Sequence, residues 1–355
     1  MKKIVIILFC FLMLGSIKSQ QIHRALFYST PVFNNPAMCA LSGGKFVVGT
    51  SYKNQWKSLG ADFKTKTINI GKTIIFSRKG HIAGFEFSLL QDDAAGLKTT
   101  NVNFSFAPDL VFSVGDQQSR VRFGLLGGFV TRSLNTANFT FENQFTGTGF
   151  NQALPSGETI YFVKKTIPII SFGFLYYNLP RQLERRQVNP FFGFAFNNVV
   201  KSDASFYENA YVHEQTTRFV VHGGLRFDNH FAFEITPMVN YMKEAIDQEL
   251  SAGINFKYNF TEFTSARFAS SKRNISVGYM YRKRGGMVFY MGGEFMNTIL
   301  GIGYDINSKG LMIGTSPQES IEICLKFRIK GNHNSTRFTT GGKGFYFENL
   351  PVPMY

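Results

Sequence analysis

The side chains that commonly carry out chemistry are few and scattered in this chain. Its six histidines, at 23, 81, 213, 222, 230 and 333, include no H-E-x-x-H spacing that would aim two imidazoles and a base at one metal ion. There is no Gly-x-Ser-x-Gly elbow to raise a serine nucleophile and no P-loop to cradle a phosphate. Gly301 and Gly303 begin a G-x-G, but Ile306 stands where a third glycine is needed, and the setting is a strand hairpin. Asp92 and Asp93, with Gly96 after them, suggest a calcium loop or an acid pair, and more simply an exposed hairpin between two strands. The cysteines are Cys10, Cys39 and Cys324, too few for a disulfide framework or a thiolate metal site. Basic residues beside aromatics, as in Ser271-Lys272-Arg273 and Tyr281-Arg282-Lys283-Arg284, read better as an interfacial girdle with flanking bases than as a nucleic-acid contact, and no nucleic-acid partner is expected. Neither an enzyme nor a cofactor is expected, although a Ser/His pair assembled only by the fold would leave no mark on the sequence.

The elements that carry these residues explain the composition. Lys2 and Lys3, the apolar run Ile4 to Leu14 and the small or polar exit to Gln20 read as a secretory signal peptide over 1–20. That run is too short for a transmembrane helix, which needs ~20 apolar residues. Residues 21–44, with Pro31 and Pro36 and no clean period, are expected to be an extended lead-in. From Phe46 the pattern is period two: Phe46, Val48, Thr50 and Tyr52 fall on one parity, and Val47, Gly49, Ser51 and Lys53 on the other. The same alternation recurs through Ile68–Phe76, Phe85–Leu89, Val102–Phe106, Val121–Phe129, Ile170–Tyr176, Phe192–Phe196, Phe219–Phe227 and Phe231–Ile235. Ile254–Phe260, Ile275–Tyr281, two runs over 286–307, and Ile321–Ile329 complete about 14 strands.

No segment keeps a 3.6-residue period for three turns, so no helical layer is available to cover a sheet this large. The chain holds 40 Phe, 15 Tyr and 34 Gly, yet its mean hydropathy is only −0.06, because the large apolar residues are spaced out. Several runs reach nine or more residues, the ~9–11 that a tilted membrane strand requires. The fold class is therefore all-β, a transmembrane antiparallel β-barrel over 45–330, with an N-terminal lead-in and a C-terminal tail over 331–355. Pro351 and Pro353 bar the tail from a central strand, leaving a plug, a periplasmic arm or a partner-binding tail. With both termini periplasmic, the even connections are expected to be tight and the odd ones long, as 134–158 and 200–212 are. A formal charge of +15 is compatible with an anionic membrane surface or an acidic partner, and more simply reflects a chain short of acids.

Motifs in order along the chain resemble the PorP/SprF family of outer-membrane proteins of the type IX secretion and gliding apparatus of Bacteroidota. They are Asn35-Pro36-Ala37, the strand end Tyr52-Lys53-Asn54-Gln55-Trp56, the D-x-x-G turn Asp93 to Gly96, the hairpin Gly301 to Ser308 with Tyr304, Asp305 and Asn307, and Glu322 on the last strand. Lys53 stands where the family commonly has Arg, and Met38-Cys39-Ala40 where Tyr-Ala-Gly is common. The resemblance implies a non-enzymatic barrel in the outer membrane that assists export or surface anchoring of secreted proteins. Its implied partners are outer-membrane lipid and either the core secretion machinery or a large adhesin carrying a C-terminal signal domain. The motif residues are read as structural, fixing the entry turn and a hairpin. The alternative is a transport channel of the fatty-acid-transporter or porin kind.

Overall fold

The computed structural model describes residues 29–41, 45–56, 63–75, 81–114, 117–135, 139–157, 163–178, 186–206, 215–229, 233–260, 273–283, 286–307, 318–329, 338–340 and 343–345. The expected leader lies outside these residues, as does the tail apart from a short hairpin pairing Phe338–Thr340 with Lys343–Phe345. The rest is one closed antiparallel barrel of fourteen strands. They are β1 (Phe46–Gln55), β2 (Phe63–Ile75), β3 (Ile82–Ala94), β4 (Leu97–Val114), β5 (Gln117–Leu134), β6 (Lys164–Asn178), β7 (Arg186–Asn197), β8 (Arg218–Asn229), β9 (Phe233–Glu244), β10 (Asp247–Asn259), β11 (Arg273–Arg282), β12 (Gly286–Phe295), β13 (Thr298–Asn307) and β14 (Gln318–Ile329). Each pairs with the next, and β14 closes on β1 from Phe46 opposite Ile329 to Gln55 opposite Ser320. Closure removes the sheet edges that lipid would not tolerate.

The parity read from the sequence is the parity of the wall. In β14, Ile321, Ile323, Leu325, Phe327 and Ile329 are exposed outward, while Glu322, Cys324, Lys326 and Arg328 are buried inward. Every strand contributes at least one large apolar residue to the outside; Phe104 and Phe129 are 56% and 58% exposed. Leaving such a side chain in water forgoes about 1.5–3 kcal/mol each. A surface with this polarity, apolar outside and charged within, is stable only with hydrocarbon around it.

Inside, charges are paired within a strand or between near-neighbour strands. Arg120 of β5 donates to Asp109 of β4 at 3.0 Å, and Tyr177 of β6 donates to the other oxygen of Asp109 at 2.6 Å. Arg282 of β11 meets Asp305 of β13 at 2.8 Å, Arg226 meets Asp228 at 2.9 Å and Glu234 at 3.3 Å, and Arg328 meets Glu294.

Prolines mark the places where ladders lapse, because they carry no N–H. Pro108 sits where the β4–β5 ladder skips from Phe106 opposite Leu125 to Asp109 opposite Arg122. Pro237 sits at the corresponding gap in β8–β9. The β6–β7 seam is the shortest, six residues only, Phe172 to Tyr177 against Phe196 to Phe191.

Two expectations need correction. Asp92 and Asp93 do not lie in a hairpin loop: they belong to β3, and the turn is Ala95-Gly96 alone, whose φ angles of +51° and +96° match the twist of a two-residue hairpin. That turn, Ala245-Ile246 and the three-residue β11–β12 connection put three tight connections at the end expected to carry long ones. The described part of the lead-in, residues 29–41, is also not extended. Pro31 and Pro36 each open a 3₁₀ turn, Pro31–Phe33 and Pro36–Met38, since a fixed φ suits a first helical position.

Candidate functional site

Those two turns lie inside the barrel. Residues 29–41 form a plug whose Val32, Asn35, Ala37, Met38 and Cys39 are fully buried. Its apolar side chains supply both interior clusters. Met38 and Leu41 pack with Leu175, Tyr177, Phe191, Met280 and Tyr290, and Val32, Cys39 and Ala40 pack with Ala107, Leu126, Val130 and Ile169.

The wall makes room for the plug with glycines at inward positions. A Cβ on Gly124 of β5 would fall 2.0 Å from the Ala37 nitrogen, and one on Gly173 of β6 would fall 2.0 Å from Asn35 Oδ1. Gly84 of β3 stands in the same relation to the Cys39 carbonyl at 2.5 Å.

Polar groups of the wall satisfy the plug's backbone. Ala40 N–H donates to Glu86 Oε2 at 2.6 Å, and the Ala40 carbonyl accepts from Thr73 Oγ1 at 3.0 Å. The Cys39 carbonyl accepts from Arg122 Nη2 at 2.5 Å, the Phe33 carbonyl from Arg218 Nη2 at 2.6 Å, and the Asn34 carbonyl from Asn197 Nδ2 at 3.2 Å. Ser29 Oγ reaches Glu322 Oε1 at 3.5 Å. Asn35 is the pivot. Its Oδ1 accepts from Ala37 N–H at 2.9 Å, and its Nδ2 donates to the Phe174 carbonyl at 2.9 Å and lies 2.9 Å from His222 Nε2. With Nε2 as acceptor, the His222 proton sits on Nδ1. Beyond the plug, toward the end bearing the long 135–163 and 198–217 connections, lies a cavity of about 140 Å³ lined by Phe33, Asn34, Asn103, Asn197, Arg218 and Asn240.

The residues singled out from sequence fall into two groups. Asn35, Pro36 and Ala37 sit in the plug against β5, β6 and β7. The others gather at the rim of the end bearing the long connections. One lateral row runs Tyr304, Ile321, Asn54, Lys64, Asp93 across β13, β14, β1, β2 and β3. Asp305, Ser320 and Gln55 form the next row, with Asn307 ending β13, Gly96 in the β3–β4 turn, and Glu322 opposite Lys53. Trp56, in the left-handed region at φ +53°, donates its N–H to the Glu319 carbonyl at 2.9 Å and sets its ring 4.8 Å from Phe63. Sequence reasoning missed Glu86, Arg122, Arg218 and His222. Their signal was a charged or imidazole residue on the inward parity of an otherwise apolar strand, as in Phe85-Glu86-Phe87 and Val121-Arg122-Phe123. Cys39 and Cys324 are free thiols, both buried. Among the described residues no cluster of metal-ligating side chains occurs.

A closed wall, apolar outside and filled by its own N-terminal segment, defines an integral outer-membrane barrel with an occupied lumen. The family model for the type IX secretion system membrane protein PorP/SprF matches residues 16–327, and the chain belongs to that family. No curated protein matches the chain. Similar solved structures include the Ralstonia pickettii toluene transporter TbuX, at 9% identity over 85% of this chain and 94% of that one, with a TM-score of 0.41. The Pseudomonas putida toluene transporter TodX matches at 9% identity over 88% and 99%, TM-score 0.42. The β-domain of the Bordetella autotransporter BrkA matches at 13% identity over 80% and 99%, TM-score 0.43.

Proposed function

We propose that this barrel is a non-enzymatic component of the type IX route, assisting export or surface anchoring of secreted proteins such as large adhesins by binding the cargo or its C-terminal signal domain. Family membership supports the route. The observation that carries the mode of action is the occupied lumen: with residues 29–41 bonded to the wall from β2 round to β9, the barrel works through its rim, loops and edges, and not by conduction. The same observation speaks against the channel reading.

Deleting the protein is expected to leave particular exported proteins trapped in the cell or lost to the medium, while unrelated outer-membrane proteins stay in place. Normal secretion and surface display in the deletion strain overturn the reading. A mild-detergent pull-down then divides its two forms. Recovery of one large exported protein marks a dedicated anchor, and recovery of periplasmic machinery marks a core component.

A further inference from the structure

The short β6–β7 seam leaves part of the wall unpaired. On one side, Lys164 to Ile169 of β6 is laddered to β5; on the other, no strand faces it among the described residues, since β7 ends at Asn197. Hydrogen bonds fix which backbone groups face the gap. Leu134 N–H bonds the Val163 carbonyl, so odd positions point to β5, while Val199 N–H bonds the Ile170 carbonyl, so even positions point to the open side. Lys164, Thr166 and Pro168 therefore address it, and a proline there sacrifices no ladder bond, as expected of an edge.

The chain's own segment after β7 covers this edge without adding a strand, with Ala204 buried in the same interior cluster as Ile167 and Ile169 of β6. Asn198 N–H bonds Ser171 Oγ at 3.1 Å, and Lys165 Nζ reaches Asp203 Oδ2 at 2.5 Å and the Ser205 carbonyl at 3.0 Å. Pro168 lies opposite the outward Phe129 at the border of the apolar belt, while Thr166 and Lys164, opposite Thr131 and Ser133, lie beyond it, so that end of the edge stands in water, where an open strand is tolerated.

We propose that the β6 edge from Lys164 to Pro168 is a β-augmentation site for an extended acidic segment of a partner protein, admitted when residues 198–206 give way. Charge selects the occupant: two copies of this chain would set Lys164 and Lys165 against each other, whereas Asp203 already shows the edge holding a carboxylate. The inference rests on the secretion reading only in taking the partner to be a polypeptide.

The test is fluorescence anisotropy of a labelled (Thr-Glu)4 peptide, with (Thr-Lys)4 as comparison, titrated against the full-length protein in detergent. The acidic peptide is expected to bind and the basic one not. Thr166→Pro removes an edge N–H and is expected to weaken binding about tenfold, one hydrogen bond's worth. Lys164→Glu is expected to lower the preference for the acidic peptide, and Asp203→Asn, which removes the carboxylate that Lys165 meets, to tighten its binding. Gel mobility before and after boiling reports folding of each variant. Equal binding of both peptides, indifference to Lys164→Glu and Thr166→Pro, or no binding overturns the edge site, while the export assay decides the secretion reading separately.

Discussion

Asn35 shows how far one side chain's type is dictated by its surroundings. Its oxygen caps the Pro36–Met38 turn and its amide nitrogen serves two acceptors on different strands, Phe174 O and His222 Nε2. Aspartate retains the cap but loses both donors, and alanine loses all three contacts. Leaving a buried acceptor unsatisfied costs about 1–3 kcal/mol, so both variants are expected to lower the unfolding temperature in detergent, with Asn35→Ala shifted at least as far as Asn35→Asp. An unchanged melting curve would mean that the plug does not depend on this residue. The glycines give a test with its own control. Gly124→Ala places a methyl 2.0 Å from the Ala37 nitrogen and must displace the plug, at about 1–3 kcal/mol for an overpacked interior site. Gly127→Ala, three residues along the same strand, meets nothing within 4 Å and is expected to be neutral.

At the scale of elements, the plug and the strands were unequally legible in the sequence. The strands announced themselves because the outer face must be apolar at every second position, and Ile321-Glu322-Ile323 reads that way with no further information. The inner face says only that it is polar. Glu86 and Arg122 each bond to the backbone of the plug, so no charge pattern along the chain pairs them with residues 39 and 40. The plug itself, PVFNNPAMCA, has no period, because its side chains point in all directions into a surrounding wall. The rim residues were recognisable as motifs, but their lateral rows depend on register, which only the pairing of β1 with β14 reveals. The plug can be followed through its own thiol. In the folded protein Cys39 and Cys324 are both buried and are expected to resist a polar maleimide. In Arg122→Ala, which removes the bond to the Cys39 carbonyl, Cys39 is expected to label while Cys324 in the wall stays protected. Simultaneous labelling of both would indicate that the whole barrel had loosened.

For the whole molecule, the decisive property is that the plug and the wall are separable structures. The plug contributes no strand to any of the fourteen ladders, and the barrel closes through β1 and β14 without it. Removing residues 29–41 therefore leaves every interstrand ladder in place. The groups that held the plug, Glu86, Arg122, Thr73, Arg218 and His222, then face a hollow lumen. These are polar or charged, so water is the expected replacement for the plug, and the emptied barrel is expected to stay folded, shift to a lower unfolding temperature and conduct ions in planar bilayers. The intact protein is expected to be silent under the same conditions, since the plug packs into both interior clusters and is bonded to the wall from β2 round to β9. If the intact protein conducts as well as the deletion variant, the segment does not close the lumen and transport returns as the leading activity. If only the variant conducts, the closed lumen is a built property of this chain, and the role proposed for it in export falls to its surfaces.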